Sequence, residues 1–169
     1  MVRLPPAWSV KKKGDVFEFS HVSGNENLVL GVSKAAVPET TPLQNCFTQA
    51  RIDLFSAFYA LLPKTWQLSF ARRINPLFLF TGRHPALGRS LSRFWCALVS
   101  AKIRQRSFGL LIGCVLERTV DGKFIAVGYF GATEWRFWLR YIAIEGPETL
   151  TRGSAHNVLA AIRFQGSNP

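Results

Sequence analysis

The sequence predicts an α+β fold: an antiparallel β-sheet that includes a C-terminal three-stranded meander, packed by two main helices in one domain. Three observations carry that reading. Residues 108–120 and 123–130 flank Asp121-Gly122, the strongest short-range hairpin signal, and Gly131-Ala132-Thr133 then turns the chain into residues 134–144. Residues 43–62 set Phe47, Ala50, Leu54, Phe58 and Leu61 at spacings of three and four, a helical apolar stripe that Phe55 and Tyr59 widen. Hydrophobic residues make up 48% of the 169-residue chain, so the low-hydrophobicity half of the disorder signature is missing and a core can form.

Residues 1–14 read as a basic N-terminal arm, and residues 15–169 as the domain. The arm has no acid before Asp15 and carries Lys11, Lys12 and Lys13, while Pro5 and Pro6 interrupt any amphipathic helix there. Residues 15–21 alternate as a strand, Ser23-Gly24-Asn25-Glu26-Asn27 is turn chemistry, and residues 28–32 return as the second arm of a hairpin. Thr40 or Thr41 caps the first helix, with Pro42 at its first position, and Pro63 ends it. Residues 65–70 set Trp66, Leu68 and Phe70 against Thr65, Gln67 and Ser69 and read as a half-buried strand. Residues 77–81 read as another short strand, between Pro76 and Gly82. The second helix opens at Pro85 or Ala86 and runs to about Arg104, with Leu87, Leu91, Phe94, Leu98 and Trp95 inward. That places Lys102 and Arg104 at a helix C-terminus, where the macrodipole favours cations. After the meander Gly146-Pro147 stops the sheet, and Ser154 caps a closing helix over residues 155–163.

Charge narrows the partners more than it narrows the fold. Between Asp53 and Glu117 there is no acidic residue, yet Lys64, Arg72, Arg73, Arg83, Arg89, Arg93, Lys102, Arg104 and Arg106 all lie there. The formal net charge is +11. A field of that sign concentrates polyanions, and a bound polyanion relieves the self-repulsion of the compact chain. Fourteen phenylalanines and five tryptophans exceed what a small core hides, so some are expected on a surface that docks other protein subunits. These features name a class of partner and not an activity.

Two groups of residues are candidates for that contact. In residues 134–141, period two puts Trp135, Phe137, Leu139 and Tyr141 on a core face and Arg136, Trp138 and Arg140 on the other. An aromatic plane between two guanidinium groups suits a stacked base and its phosphates; cation–π pairing within the protein is the competing explanation. The second group is Arg72, Arg73, Arg83, Arg89 and Arg93, around one loop and one helix start, where charge density serves a phosphate backbone. A solvated basic face accounts for the same group. Lys11, Lys12 and Lys13 either contact phosphate or lie exposed at a strand start.

Catalysis and cofactors find little footing. His21, His84 and His156 belong to no motif, and Gly82 and Gly88 form no phosphate loop. Cys46, Cys96 and Cys114 have neither CxxC nor Cys/His spacing, so zinc is not expected; small buried thiols in an intracellular, reducing compartment are. Glu117 and Glu134 facing each other across the meander are the one lead toward a nucleic-acid-processing enzyme. No apolar run reaches the roughly 18–20 residues of a membrane span. The expectation is a non-catalytic binder of RNA or another polyanion, without a cofactor, in a ribonucleoprotein assembly such as a ribosome. The alternative is a structural subunit of a multiprotein complex, beside a membrane or away from one.

Overall fold

A computed structural model describes residues 4–34, 41–132 and 135–162. The chain is α+β. Strands β1 (Trp8–Lys13), β2 (Val16–His21) and β3 (Glu26–Lys34) precede helices α1 (Pro42–Leu61), α2 (Lys64–Arg83) and α3 (Pro85–Leu98). Strands β4 (Lys102–Phe108), β5 (Leu111–Val120), β6 (Lys123–Ala132) and β7 (Trp135–Ala143) follow, and short helices α4 (Pro147–Thr151) and α5 (Ser154–Ala160) close the described chain. The strands form one seven-stranded sheet in the order β1-β2-β3-β7-β6-β5-β4, antiparallel at every step. The chain thus makes one meander, leaves the sheet for three helices, and returns with a second meander whose last strand joins the first meander's last.

Period-two geometry gives the sheet two faces. On the front face lie Phe19, Leu28, Leu30, Phe108, Leu111, Val115, Phe124, Phe130, Phe137, Leu139 and Tyr141, in one buried cluster with Leu150 of α4 and Ala155, Val158 and Leu159 of α5. A smaller cluster on the back joins Ala50 and Leu54 of α1 to Trp95 and Cys96 of α3 and Leu116 of β5. Polar ties fix α1 there. Tyr129 Oη donates to Gln49 Oε1 at 2.9 Å, Arg118 pairs with Asp53 at 3.4 Å, and Ser92 Oγ of α3 donates to the Phe47 carbonyl at 2.8 Å.

Most strands and the first helix start where the sequence places them. Thr41 and Gln44 form a reciprocal capping box, with Pro42 in the first turn, so the start of α1 is specified by local chemistry. Asp121 and Gly122 both have positive φ, 50° and 73°, the geometry of a two-residue hairpin turn.

Several expectations need correction. Residues 65–70 and 77–81 are not strands but parts of α2. Pro63 does not simply end a helix; it precedes the first turn of the next one, where a missing N–H costs nothing. The alternation at residues 65–70 spans too few positions to override a twenty-residue helix that packs on α1 and α3 and leaves Trp66 outside. The helix from Pro85 stops at Leu98, because Ser100 takes φ 53° and turns the chain into β4, so Lys102 and Arg104 sit on an edge strand and no helix dipole holds them. The expected single strand over residues 108–120 is broken at Gly109, φ 58°, into the β4–β5 hairpin. Finally, Gly153, not Ser154, occupies the cap position of α5, and a third long helix, α2, packs on α1 and α3 beside the two that reach the sheet. Residues 8–13 of the expected arm are strand β1, paired with β2 along its length.

Among the described residues, no helix is long and apolar enough to cross a membrane.

A buried polar network ties the front layer to the sheet. Glu26, 6% exposed, accepts from Tyr141 Oη at 2.7 Å and from Ser154 Oγ at 3.0 Å, and the phenol oxygen also lies 2.6 Å from Thr149 Oγ1. Burial, opposed by the Thr149 contact and aided by the Glu26 carboxylate, pushes the Tyr141 phenol far above the ordinary tyrosine range. A raised folded-state value means that the network's stability is fully present below the unfolded tyrosine's pKa of about 10 and is lost as pH rises beyond it. Chemical denaturation of Tyr141→Phe should therefore show a loss of about 1–3 kcal/mol at neutral pH. Above about pH 10, the wild type's stability should fall more steeply with pH than the variant's.

A candidate nucleic-acid interface on the uncovered sheet

The front face is closed by α4 and α5, and the β5–β6 half of the back face by α1. Among the described residues, nothing covers the rest of the back face. On β1, β2, β3 and β7 it presents Ser9, Lys11, Lys13, Val16, Glu18, Ser20, Asn27, Val29, Ser33, Arg136, Trp138, Arg140 and Ile142, none of them buried. Only Gly31 is buried in this area, and the side chain over it is Trp138.

Trp138 and Gly31 are direct register partners across β7 and β3. Nε1, Cε2 and Cδ1 of the indole fill the space that a Cβ at residue 31 would need. The ring thus rests on bare backbone and remains 41% exposed. Arg136 repeats the arrangement one pair along the sheet, with its guanidinium over its partner Gly131, Nη1 2.6 Å from where a Cβ would stand. Its Nη1 donates to the Trp135 carbonyl at 3.1 Å. An aromatic seated over a cross-strand glycine restores the packing that the glycine lacks, and this geometry holds the ring in one place at the surface.

Sequence reasoning grouped Arg136, Trp138 and Arg140 on one face, and they do share it. It missed the contribution of the first meander. Lys11 and Lys13 lie on the same open face, at the far edge of the sheet, while Lys12 points to the front, its ammonium 5.6 Å from the centre of the Phe17 ring. One carboxylate offsets them: Glu18 is the register partner of Lys11 and lies 3.9 Å from Lys13. The signal for this grouping was the alternation of the lysine run, visible only once residues 8–13 are known to be a strand.

The second cationic group is a different surface. Arg72, Arg73 and Arg83 are exposed on α2, and Arg89 and Arg93 on α3, whose buried side is Gly88, Ser92, Trp95 and Cys96. These helices pack on α1, on each other and, for α3, on β4, so the two groups do not form one patch.

The carboxylate lead resolves differently. Glu117 is buried on the front face and is taken up by two arginines: Arg106 Nη2 and Nε reach Oε1 at 2.7 and 3.1 Å, and Arg104 Nε reaches Oε2 at 3.2 Å. Arg104 and Arg106 are therefore compensated, and the cationic stretch is less uniform than its composition implies. Glu134 lies outside the described residues. His156 stands edge-on to Phe108, His21 edge-on to Trp8, and His84 against Phe80. A cavity of about 700 Å³ is an open groove between the start of α1 and the β4–β5 edge, and among the described residues no His, Asp or Glu lines it. Among the described residues no three His, Cys, Asp or Glu side chains converge as metal ligands.

No protein-family model matches the chain, and no curated protein does.

Because the indole and a residue-31 Cβ cannot occupy the same space, Gly31→Ala should swing Trp138 off the sheet. The ring is at the surface, so the fold should keep its stability to within about 1 kcal/mol. Tryptophan fluorescence should shift to the red and quencher access should rise, while far-ultraviolet circular dichroism stays unchanged.

Proposed function

We propose that the chain is a non-catalytic binder of single-stranded RNA, acting within a ribonucleoprotein assembly such as a ribosome. The observation that carries this reading is Trp138, exposed and seated on Gly31 at the β3–β7 seam of the open part of the sheet, and flanked along its strand by Arg136 and Arg140. A fixed exposed ring stacks a base without the ordering cost of a mobile one. Guanidinium groups on either side reach phosphates. Lys11 and Lys13 extend the cationic track across the sheet. Single strands fit better than duplexes, since a flat sheet reads unstacked bases and neither groove of a helix is flat. The net charge of +11 supports long-range attraction of the same partner. Cys46, Cys96 and Cys114 are buried free thiols, which supports a reducing intracellular compartment.

Fluorescence anisotropy with a short unstructured RNA tests the reading. Affinity should fall with salt, with a log–log slope of about −2 to −3 if three or four phosphates are engaged. Trp138→Ala should weaken binding by about 1–3 kcal/mol at unchanged salt slope. Arg140→Ala should instead make the slope shallower by roughly one contact. Binding that ignores both substitutions and salt would remove this surface from consideration.

A second reading has its own observation. The helical layer exposes Phe58, Leu61, Trp66, Leu77, Leu79, Phe80, Phe94 and Leu98, with Leu61 at 81% and Trp66 at 66%. Large apolar side chains exposed in this number on one layer support attachment of α1, α2 and α3 to another protein subunit. Such a complex, isolated from the native source, should survive both nuclease and high salt, whereas the RNA contact should survive neither.

A further inference from the structure

Arg51 is the least expected residue of α1. It lies on the buried side of α1 with Cys46, Ala50 and Leu54, and it is only 8% exposed. A buried guanidinium ordinarily has a carboxylate partner, because burying an unpaired charge is costly. The ion pairs of the described residues engage Glu18, Asp53 and Glu117 but leave Arg51 out. Its Nη2 donates to Thr48 Oγ1 at 3.2 Å, its Nε has no partner among the described residues, and its guanidinium lies 5.3 Å from the centre of the Phe78 ring.

The same guanidinium lies against the junction of α2 and α3. A Cβ at Gly88 would come within 2.5 Å of Arg51 Nη1, and one at Gly82 within 4.0 Å of both terminal nitrogens. Two glycines therefore keep this end of the side chain clear. Arg51, Thr48, Gly82, Gly88 and Arg89 line a cavity of about 330 Å³, with no acidic residue in its wall among the described residues. The start of α3 lies at this cavity through Pro85, and it has no side-chain cap and no acidic residue in its first turn. Pro85 itself has no N–H, and the Gly88 N–H is taken by the His84 carbonyl at 3.0 Å, so the wall draws its positive charge from side chains. A buried cation short of partners and an exposed cation meet in one concave site, and both favour an anion.

We propose that Arg51 and Arg89 bind a terminal phosphate group. A dianionic phosphate answers two guanidinium groups better than a singly charged carboxylate does, and its oxygens accept several N–H bonds at once. The group belongs either to a small phosphorylated compound or to the 5′ end of a nucleic acid. The site does not involve Trp138, and it stands or falls apart from the sheet surface.

Isothermal titration of the full chain with inorganic pyrophosphate, and with a short oligonucleotide bearing a 5′-phosphate or a 5′-hydroxyl, tests the site. The wild type should bind pyrophosphate, and Arg89→Ala, an exposed change that spares the core, should bind at least tenfold more weakly. Arg51→Met should abolish the binding if it folds. A 5′-phosphate preference that disappears in Arg89→Ala assigns the group to a nucleic-acid end; equal binding of the two oligonucleotides beside tight pyrophosphate binding assigns it to a small compound. Undiminished pyrophosphate binding by Arg89→Ala overturns the proposal, as does absence of binding in the wild type. Binding that appears only in Glu39→Gln also overturns it, because the chain's own carboxylate, two residues before Thr41 of the cavity wall, would then be the natural occupant.

Discussion

The seam between β3 and β7 is the constraint on which the rest of the molecule rests. Nine consecutive register pairs, from Glu26↔Ala143 to Lys34↔Trp135, join two meanders separated in the chain by three helices. Without them the sheet divides into a three-stranded piece and a four-stranded piece, and the front core divides too, since Leu28 and Leu30 belong to one piece and Leu139 and Tyr141 to the other. Closing so long a loop is entropically costly and must be offset by what the seam buries. On the front it buries Leu28, Leu30, Leu139 and Tyr141, each at 3% exposure or less, and the Glu26–Tyr141 hydrogen bond. On the back it sets Trp138 on Gly31. The candidate interface is thus a by-product of the contact that holds the two halves together, which explains why an exposed aromatic can be held so firmly.

The cations divide by structural task. Both edges of the sheet are basic: β1 ends Lys11-Lys12-Lys13, and β4 carries Lys102, Arg104 and Arg106. Charged side chains on an edge strand discourage pairing with a second sheet, a hazard for any open antiparallel sheet. That role is sufficient for Lys12 and Lys102, while Arg104 and Arg106 also neutralise Glu117. Arg118 is held by Asp53, which bounds the acid-free stretch. What is left without a structural task in the described contacts is the exposed set on α2 and α3, together with the open face around Trp138.

The parts of the fold legible in the sequence are those specified by local chemistry. The Asp121-Gly122 turn, the Thr41–Gln44 box and the alternation of Trp135 to Tyr141 each need only neighbouring residues, and each is found where expected. Residues 65–70 misled because Trp66, Leu68 and Phe70 alternate over a stretch too short to distinguish a strand from the first turns of a helix. β4 was hidden because its cations extend the basic character of α3, and the break between them is one residue, Ser100, in a backbone conformation that serine seldom adopts. The site was legible to the same extent. Arg136, Trp138 and Arg140 could be grouped from period two alone. Lys11, Lys13 and Gly31 could not, because they reach that face only through the β1–β2–β3–β7 order. Arg51 had a visible signal, an arginine at an inward position of an apolar stripe, but one that long-range packing alone interprets.

The two candidate surfaces differ in what the fold has already spent on them. The sheet surface costs the free protein little: its polar side chains are solvated, its indole packs on backbone, and its single carboxylate sits among cations. Such a surface is stable empty and suits reversible contact with a long, sequence-variable partner. The Arg51 pocket is the reverse. There a desolvated guanidinium is held beside a second cation with few compensating contacts among the described residues. Arrangements that leave charge and donors unsatisfied persist in folded proteins where an occupant repays them, and the occupant then stabilises the packing of α1 against α2 and α3 as well as filling the site. In that helical layer, where apolar side chains already face outward, ligand and fold stability are coupled most directly.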